Sequence, residues 1–176
     1  MNILHDIDKA RITAEKFTAV IEIPMGSRMK YELDKETGML MLDRILTTSM
    51  VYPANYGFIP LTKSEDGDPL DVLVIMNDPV VPLTLIECEP VGLVVMVDNG
   101  EMDEKILAVP ASKKVVGPKD VSKEMLDTIV HFTKQYKALQ KDNKVEVKSV
   151  GGKAEAIKVI KDAMKLYESS KKGAAK

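Results

Sequence analysis

The chain has 176 residues, of which 45% are apolar and 30% are charged, and its net charge is −2. This length and composition predict a hydrophobic core and exclude a chain that is disordered throughout. The 25 basic and 27 acidic residues nearly balance, and aromatic residues are few, which argues against a nucleic-acid-binding surface. We expect one domain over residues 1–176, with residues 1–16 as an N-terminal arm and residues 169–176 as a frayed tail.

The cysteine content and the apolar runs predict a cellular location. Cys88 is the single cysteine, so no disulfide can form within the chain, and this is typical of the reducing cytosol. The first 16 residues are rich in charge and contain no apolar leader segment. The longest uncharged stretch, residues 45–62, is interrupted by Pro53, Gly57 and Pro60, so it does not predict a membrane span. We therefore expect a cytoplasmic protein without a membrane partner.

The first two thirds of the chain predict β-strands, because short apolar and β-branched runs alternate with proline and glycine. In chain order, the predicted strands are Phe17–Ile23, Lys30–Leu33, Met39–Arg44, Asp71–Met76, Leu83–Glu89, Val91–Asp98 and Lys105–Val109. Residues 52–57, which contain Pro53 and Gly57, are interpreted as a loop. Short strands at this spacing favour a small barrel or sandwich.

The last third of the chain changes to a helical period. Met125, Ile129, Phe132 and Tyr136 recur at steps of four, three and four, which predicts an amphipathic helix over Ser122–Lys141. Val145 and Val147 predict one more short strand. A second helix should follow the glycine pair at residues 151–152. Strands followed by grouped helices indicate an α+β fold that is mainly β.

The most informative segment is the acidic stretch at residues 65–72. Asp66, Asp68 and Asp71 fall within six residues, around a glycine and a proline. Carboxylates this close repel one another unless a cation neutralises them, and oxygen ligands of this kind suit Mg²⁺ or Mn²⁺. A solvated acidic turn is an equally good interpretation of this segment alone.

Two familiar acidic motifs do not account for this segment. An EF-hand beginning at Asp66 needs glycine at its sixth position and glutamate at its twelfth, where this chain has Asp71 and Asn77. A haloacid-dehalogenase-type site also uses Asp-x-Asp but follows an apolar strand, which residues 61–65 do not provide.

Other polar side chains in the chain could accompany these aspartates. Asp98 and Asp103 flank a predicted connection between strands, and Glu22 interrupts an otherwise apolar strand. The remaining candidates are Lys30, Glu32, Arg44, Tyr52, Tyr56, Lys105, Tyr136 and Lys137. Taken singly, the charged residues are typical of half-exposed strand ends, and Tyr136 is typical of a helix core.

Together these residues resemble soluble family I inorganic pyrophosphatase of the prokaryotic type. Residues 66–72 fill each position of that family's signature. Further segments match family motifs in the same order: Ile21–Pro24, Lys30–Glu32, Asp43–Arg44, Tyr52–Gly57, Pro90–Gly92, Ala108–Pro110, His131–Phe132 and Tyr136–Lys137. The resemblance implies a small closed OB-like β-barrel with two flanking C-terminal α-helices.

The resemblance also implies a reaction and a set of roles. The reaction is hydrolysis of pyrophosphate to two orthophosphates by metal-activated water in direct in-line attack, without a covalent intermediate. Asp68 would take the proton from the water. Several Mg²⁺ ions, replaceable by Mn²⁺ or other divalent ions, would be held by Asp66, Asp71, Asp98 and Asp103. Phosphate oxygens would be held by Lys30, Arg44, Tyr56, Tyr136 and Lys137, with support from Glu22, Glu32, Tyr52 and Lys105.

Some expectations remain open within this interpretation. Relatives in this family usually form homohexamers, so we expect a homo-oligomer. Asn99 stands where many relatives have a second acid beside Asp98. Two other functions use the same residues: a metal-dependent phosphohydrolase acting on monoesters, and a non-enzymatic cation-binding or OB-type interaction module.

Overall fold

Strands dominate the computed structural model, which describes residues 2–112, 114–115, 117–141 and 144–174. Over these residues the strands are β1 Phe17–Ile23, β2 Met29–Leu33, β3 Leu40–Ile45, β4 Asn55–Ile59, β5 Leu70–Val74, β6 Leu85–Asp98, β7 Glu101–Pro110 and β8 Val145–Gly152. The α-helices are α1 Lys123–Gln135 and α2 Lys153–Ala174, and a short 3-10 helix covers Lys9–Arg11. None of the helices in these ranges is long and apolar enough to cross a membrane.

Five strands close into a barrel. Their order is β1-β4-β5-β7-β6, and β6 pairs back onto β1 at Phe17 opposite Cys88. Neighbouring strands are antiparallel except for β5 and β7, which run parallel. With β8 added beside β6 and both α-helices after the barrel strands, this confirms the α+β, mainly β, closed OB-like barrel.

The sixth strand is longer than the sequence predicted. Residues 83–89 and 91–98 were expected as two strands, but β6 is one strand of 14 residues. The register shifts between Pro90 and Gly92, so the segment that looked like a break is a bulge. The bulge lets β6 pair with β1 at one end and with β8 at the other.

The prediction of a loop over residues 52–57 was right for residues 52–54 and wrong for residues 55–57, because β4 begins at Asn55. Gly57 made this strand difficult to predict from the sequence, because glycine is usually depleted in strands. Here glycine is required: a Cβ at position 57 would lie 1.8 Å from the Val20 carbonyl oxygen on β1. The close approach of β1 and β4 therefore depends on the missing side chain.

Both helices differ from prediction at their C-terminal ends. Ser122 caps α1, its hydroxyl accepting from the Met125 N–H at 3.2 Å, but α1 stops at Gln135 rather than at Lys141. α2 continues to Ala174, so residues 169–174 are helical and were wrongly expected to fray, while residues 175–176 lie outside the described residues. Ala156, Ile160 and Tyr167 anchor α2 in the barrel's main hydrophobic cluster.

Candidate active site

The acidic loop, residues 64–69, connects β4 to β5 and presents two carboxylates to a cavity of about 230 Å³. The Ser64 N–H donates to the Asp68 carbonyl at 2.7 Å, and the Asp68 N–H donates to Asp66 Oδ1 at 2.9 Å. Gly67 has φ +93°, a left-handed conformation that favours glycine. These bonds hold the Asp66 and Asp68 side chains on one compact turn.

Two parallel strands bring the centre of the site together. Asp71 on β5 lies opposite Lys105 on β7, and Asp103 precedes Lys105 by two residues, so their side chains share one face. The Lys105 ammonium nitrogen lies 2.8 Å from Asp71 Oδ2 and 2.9 Å from Asp103 Oδ1. One lysine therefore bridges two carboxylates from strands that are far apart in sequence.

Burial and neighbouring charges shape the titration of this centre. Lys105 is 7% exposed. Burial lowers the pKa of its ammonium group, but Asp71 and the acidic groups around it outweigh burial and hold this pKa well above the ordinary value. Burial also raises the pKa of Asp71, against the opposing effect of Lys105. Lys105 is therefore a permanent cation of the site.

Two tyrosines stand behind this centre. The Tyr56 hydroxyl donates to Asp71 Oδ2 and accepts from Lys105 at 3.2 Å. Tyr52 is 2% exposed and packs against Tyr56 and Phe132, with ring centroids 5.4 and 4.9 Å apart. Burial raises the pKa of both tyrosine hydroxyls above the ordinary value, so both remain protonated donors at neutral pH.

The ends of β6 and α1 meet at a second ion pair. Lys137 donates to Asp98 Oδ2, and its ammonium lies 5.4 Å from the ring centroid of Tyr136. Tyr136 caps α1 and stacks on Phe132 at 5.1 Å. Asp98 Oδ1 is buried and has no hydrogen-bond partner within the described part of the chain. Such an oxygen is costly to bury unless a further donor or cation meets it.

The hairpin of β2 and β3 supplies charges at the rim of the cavity. Lys30 pairs with Glu32 on its own strand and with Asp43 on β3, where the separation from Asp43 is 3.4 Å. The Arg44 Nε–H donates to the same Asp43 carboxylate at 2.7 Å. Asp43 therefore joins two of the predicted phosphate-binding cations.

Glu22 is a buried acid within the barrel strand β1. It is 8% exposed, and its Oε1 accepts the Leu33 N–H at 2.7 Å, which ties β1 to the end of β2. Burial raises the pKa of this carboxyl to about 8, partly offset by the bond from Leu33. Glu22 is therefore protonated in the folded chain at neutral pH.

The cavity gathers most of the residues singled out in the sequence. Those that line it are Glu22, Lys30, Glu32, Tyr56, Asp66, Asp68, Asp71, Asp98, Asp103, Lys105, Tyr136 and Lys137. Arg44 and Tyr52 are not in its lining. Arg44 is linked to the lining residue Lys30 through Asp43, and Tyr52 packs against the lining residue Tyr56.

Comparison with known proteins identifies the family. A model of the inorganic pyrophosphatase family matches residues 19–168. The chain belongs to the inorganic pyrophosphatase family. It is 45% identical over 168 residues to a protein of Chlamydomonas reinhardtii named soluble inorganic pyrophosphatase 2, an alignment covering 93% of this chain and 87% of that protein. It is also 45% identical over 159 residues to an inorganic pyrophosphatase of Caulobacter vibrioides, covering 86% and 90% of the two chains.

Solved structures of this family share the fold. The inorganic pyrophosphatase of Helicobacter pylori superposes with a TM-score of 0.83 at 40% identity, over 93% of this chain and 99% of that chain. The enzyme of Thermus thermophilus gives a TM-score of 0.85 at 36% identity, over 96% and 99%. The barrel and its helices are therefore those of this pyrophosphatase family.

The donor set of this pyrophosphatase cavity fits divalent cations. Its acids are carboxylates, the hard oxygen ligands that Mg²⁺ prefers, and Asp98 Oδ1 is a buried oxygen without a partner in the described residues. Within those residues, the acidic, histidine and cysteine side chains do not form a cluster of three poised around one point. At the centre, the Lys105 ammonium lies between Asp71 and Asp103.

One charged residue of the site escaped the sequence analysis. Lys35 lines the cavity and pairs with Asp68. The signal for Lys35 was its place beside the turn between two predicted strands, where a charge is also common for solubility alone. Asn99 has a structural role here: it sits at φ +52° in the β6–β7 turn and its side chain accepts the Lys144 N–H at 3.2 Å.

Proposed function

We propose that this chain hydrolyses inorganic pyrophosphate to two orthophosphate ions by direct in-line attack of water on phosphorus, without a covalent intermediate. One observation carries the proposal. Five aspartates from the acidic loop, β5, β6 and β7 line one cavity of about 230 Å³ together with four lysines. Membership of the inorganic pyrophosphatase family supports the choice of the diphosphate anhydride as substrate.

The residues proposed to hold Mg²⁺ ions are Asp66, Asp71, Asp98 and Asp103, with Mn²⁺ or other divalent ions as substitutes. When bound, such ions neutralise the carboxylates and lower the pKa of a coordinated water molecule. Asp98 Oδ1, which is buried and has no hydrogen-bond partner among the described residues, supports this assignment. Lys105 contacts one oxygen of Asp71 and both oxygens of Asp103, so a cation bound at Asp103 would compete with this lysine.

Asp68 is proposed as the general base that accepts the proton of the attacking water. Its side chain is exposed to the cavity on the turn that Gly67 permits, and its backbone is fixed by bonds to Ser64 and Asp66. A base needs a fixed position and access to the water. Lys35 forms an ion pair with the Asp68 carboxylate.

The cations and hydroxyls of the cavity are proposed to hold phosphate oxygens. Lys30 lies on β2 and Lys137 follows the end of α1, and Tyr56 and Tyr136 supply hydroxyl groups. Donors fixed in advance stabilise the charge that builds on the leaving phosphate. Arg44 would act from the rim, while Glu22, Glu32, Tyr52 and Lys105 would support these groups.

Replacing Asp68 by Asn tests the proposal. The asparagine keeps the shape of the turn but cannot accept the proton, so Mg²⁺-dependent phosphate release from pyrophosphate should fall by ~10²-fold or more. Asp127→Asn on the exposed face of α1 is the matched control and should keep full activity. Near-normal release by pure Asp68→Asn would reject the base assignment. Faster release from p-nitrophenyl phosphate than from pyrophosphate would favour a monoester phosphohydrolase.

We also propose a cytoplasmic homo-oligomer, a hexamer by family resemblance. The apolar side chains of Met29, Met41, Leu42 and Ile45 on the β2–β3 hairpin are exposed, and such a patch is typical of an interface. Cys88 is a buried free thiol, which suits a reducing compartment. Light scattering of the purified chain measures the number of subunits.

A further inference from the structure

A second cavity of about 380 Å³ adjoins the catalytic one. It is formed by the N-terminal arm, the acidic loop, the tip of the β2–β3 hairpin and the C-terminal part of α2. Lys35 and Pro69 belong to the lining of both cavities. The two spaces therefore share a wall, although none of the predicted catalytic or metal-binding residues lines the second one.

The charge of this second cavity is one-sided. Lys35, Lys63 and Lys171 line it together with His5, and its lining contains no carboxylate among the described residues. Lys35 is engaged by Asp68 across the shared wall. Over the described ranges, Lys63 and Lys171 form no ion pair with a carboxylate. A concave surface with cations on several sides attracts anions.

Hydrogen bonds and ring contacts hold the groups around this cavity in place. The Lys63 N–H donates to the Ala163 carbonyl at 3.0 Å, which ties the chain before the acidic loop to α2. Tyr167 is 5% exposed and forms part of the barrel's hydrophobic cluster. His5 Nδ1 lies 2.9 Å from the Tyr167 hydroxyl, and the Lys171 ammonium lies 4.9 Å from the Tyr167 ring centroid. Binding groups held in this way lose little entropy when a ligand arrives.

We propose that this second cavity binds a non-esterified phosphate anion, either orthophosphate or a short linear polyphosphate. Lysines bind phosphate as point charges, and the three lysines here approach from a hairpin, a loop and a helix. The cavity exceeds the size of one phosphate. It offers no free aromatic face for a nucleobase among its described lining, because His5 and Lys171 cover the ring of Tyr167.

Lys35 links this anion site to catalysis. Its ammonium pairs with Asp68 in the present structure, so a phosphate in the second cavity competes with Asp68 for the same cation. Loss of that partner would leave the Asp68 carboxylate less restrained. This link rests on the role proposed for Asp68, whereas anion binding in the second cavity does not.

The two histidines of the chain make a direct test possible by NMR. His5 lines the second cavity, and His131 lies on the exposed part of α1. The metal-free chain is titrated in EDTA with orthophosphate and, separately, with tripolyphosphate, at constant pH and ionic strength. The His5 imidazole signals should shift saturably while those of His131 stay in place. Saturation by orthophosphate identifies the single ion as a ligand, and saturation by tripolyphosphate alone identifies the polymer.

Paired variants separate specific binding from general charge effects. The double variant Lys63→Gln and Lys171→Gln should weaken phosphate binding, read from the His5 response, by ~10-fold or more, because it removes two of the three lysines that line the cavity. Lys165→Gln removes a lysine elsewhere on α2 and should leave the response unchanged. An unshifted His5 in the wild type, or an equal response in the double variant, overturns the proposal.

Failure of this anion site is distinguishable from failure of the proposed function. The double variant lacks none of the catalytic groups, so its Mg²⁺-dependent pyrophosphate hydrolysis should stay within about twofold of wild type at low phosphate. Asp68→Asn should keep the His5 response. A saturable His5 response in a chain that does not hydrolyse pyrophosphate supports the anion site and rejects the hydrolase.

Discussion

Lys105→Met is the most informative perturbation of this molecule. The substitution keeps the length of the side chain and removes the ammonium that bridges Asp71 and Asp103 at 2.8 and 2.9 Å. Lys105 is buried, with 8% of its side chain exposed, so water cannot take its place easily. Both carboxylates then face each other without their shared counter-charge.

The magnitude of the effect follows from the burial of the two acids. Removing one partner of a buried ion pair costs roughly 3–5 kcal/mol. The Asp71 and Asp103 side chains keep 29% and 24% of their exposure, so solvent relieves part of this loss. We therefore expect a loss of about 3 kcal/mol, which corresponds to a melting temperature about 6–12 °C lower for a chain of this size.

Thermal unfolding with and without Mg²⁺ then tests the reasoning. The cation stabilises the folded chain by binding it, and in the variant it also meets carboxylates that have lost their lysine. Mg²⁺ should therefore raise the melting temperature of Lys105→Met by more than it raises that of the wild type. Lys123→Met, which removes an exposed lysine from α1, is the control and should change little. A variant as stable as wild type in EDTA, or equal gains with Mg²⁺, would refute the argument.

Two further substitutions test the barrel around the site. Burial raises the pKa of Glu22 from 4.5, its ordinary value, to about 8 in the folded chain. The protonated carboxyl therefore contributes fully to the stability of the folded chain below pH 4.5, and this contribution is lost as the pH rises through 8. In EDTA, Glu22→Gln should remove a slope of up to ~1.4 kcal/mol per pH unit from the urea unfolding free energy, and an unchanged slope would contradict this. Gly57→Ala places a Cβ 1.8 Å from the Val20 oxygen and should cost roughly 3 kcal/mol or more, measured by the same unfolding. Gly152→Ala places a Cβ 3.5 Å from the flexible end of Glu155 and should be tolerated, and equal losses in the two variants would argue against a steric cause.

Local sequence patterns predicted the strands that bury apolar side chains. They missed β4, because its formation depends on close contact with the neighbouring strand β1. β1 begins and ends where its run of β-forming residues does, because all seven of its residues are buried. β4 was missed because the residue that allows it, Gly57, is unfavourable in strands taken alone. Its reason lies in the Val20 carbonyl, which is 37 positions away in the chain and invisible to a local pattern.

The same distinction applies to the site. Asp66, Asp68 and Asp71 are recognisable in the sequence because they crowd into one segment around Gly67 and Pro69. Lys35 could not be found in this way, since its partner Asp68 lies across the cavity on another element. The parallel pairing that sets Lys105 opposite Asp71 is likewise a product of the barrel's topology, not of either strand. The resemblance to a family points to such residues in the sequence, but the folded structure is needed to show which of them are in contact.

The ion pairs explain how a chain of net charge −2 can serve an anionic substrate. Four aspartates in the cavity are held by lysines: Asp71 and Asp103 by Lys105, Asp98 by Lys137 and Asp68 by Lys35. Under the proposed function, Asp71, Asp98 and Asp103 would hold divalent cations, and their partners Lys105 and Lys137 would then be available to phosphate oxygens. The cation pairs with the carboxylates and the phosphate pairs with the ammonium groups, so each ligand replaces the partner that the other takes away. Thermodynamic linkage then requires that each ligand strengthens the binding of the other. A cavity lined by lysines alone would hold phosphate without a place for the metal, and one lined by aspartates alone would repel the substrate until the metal arrived.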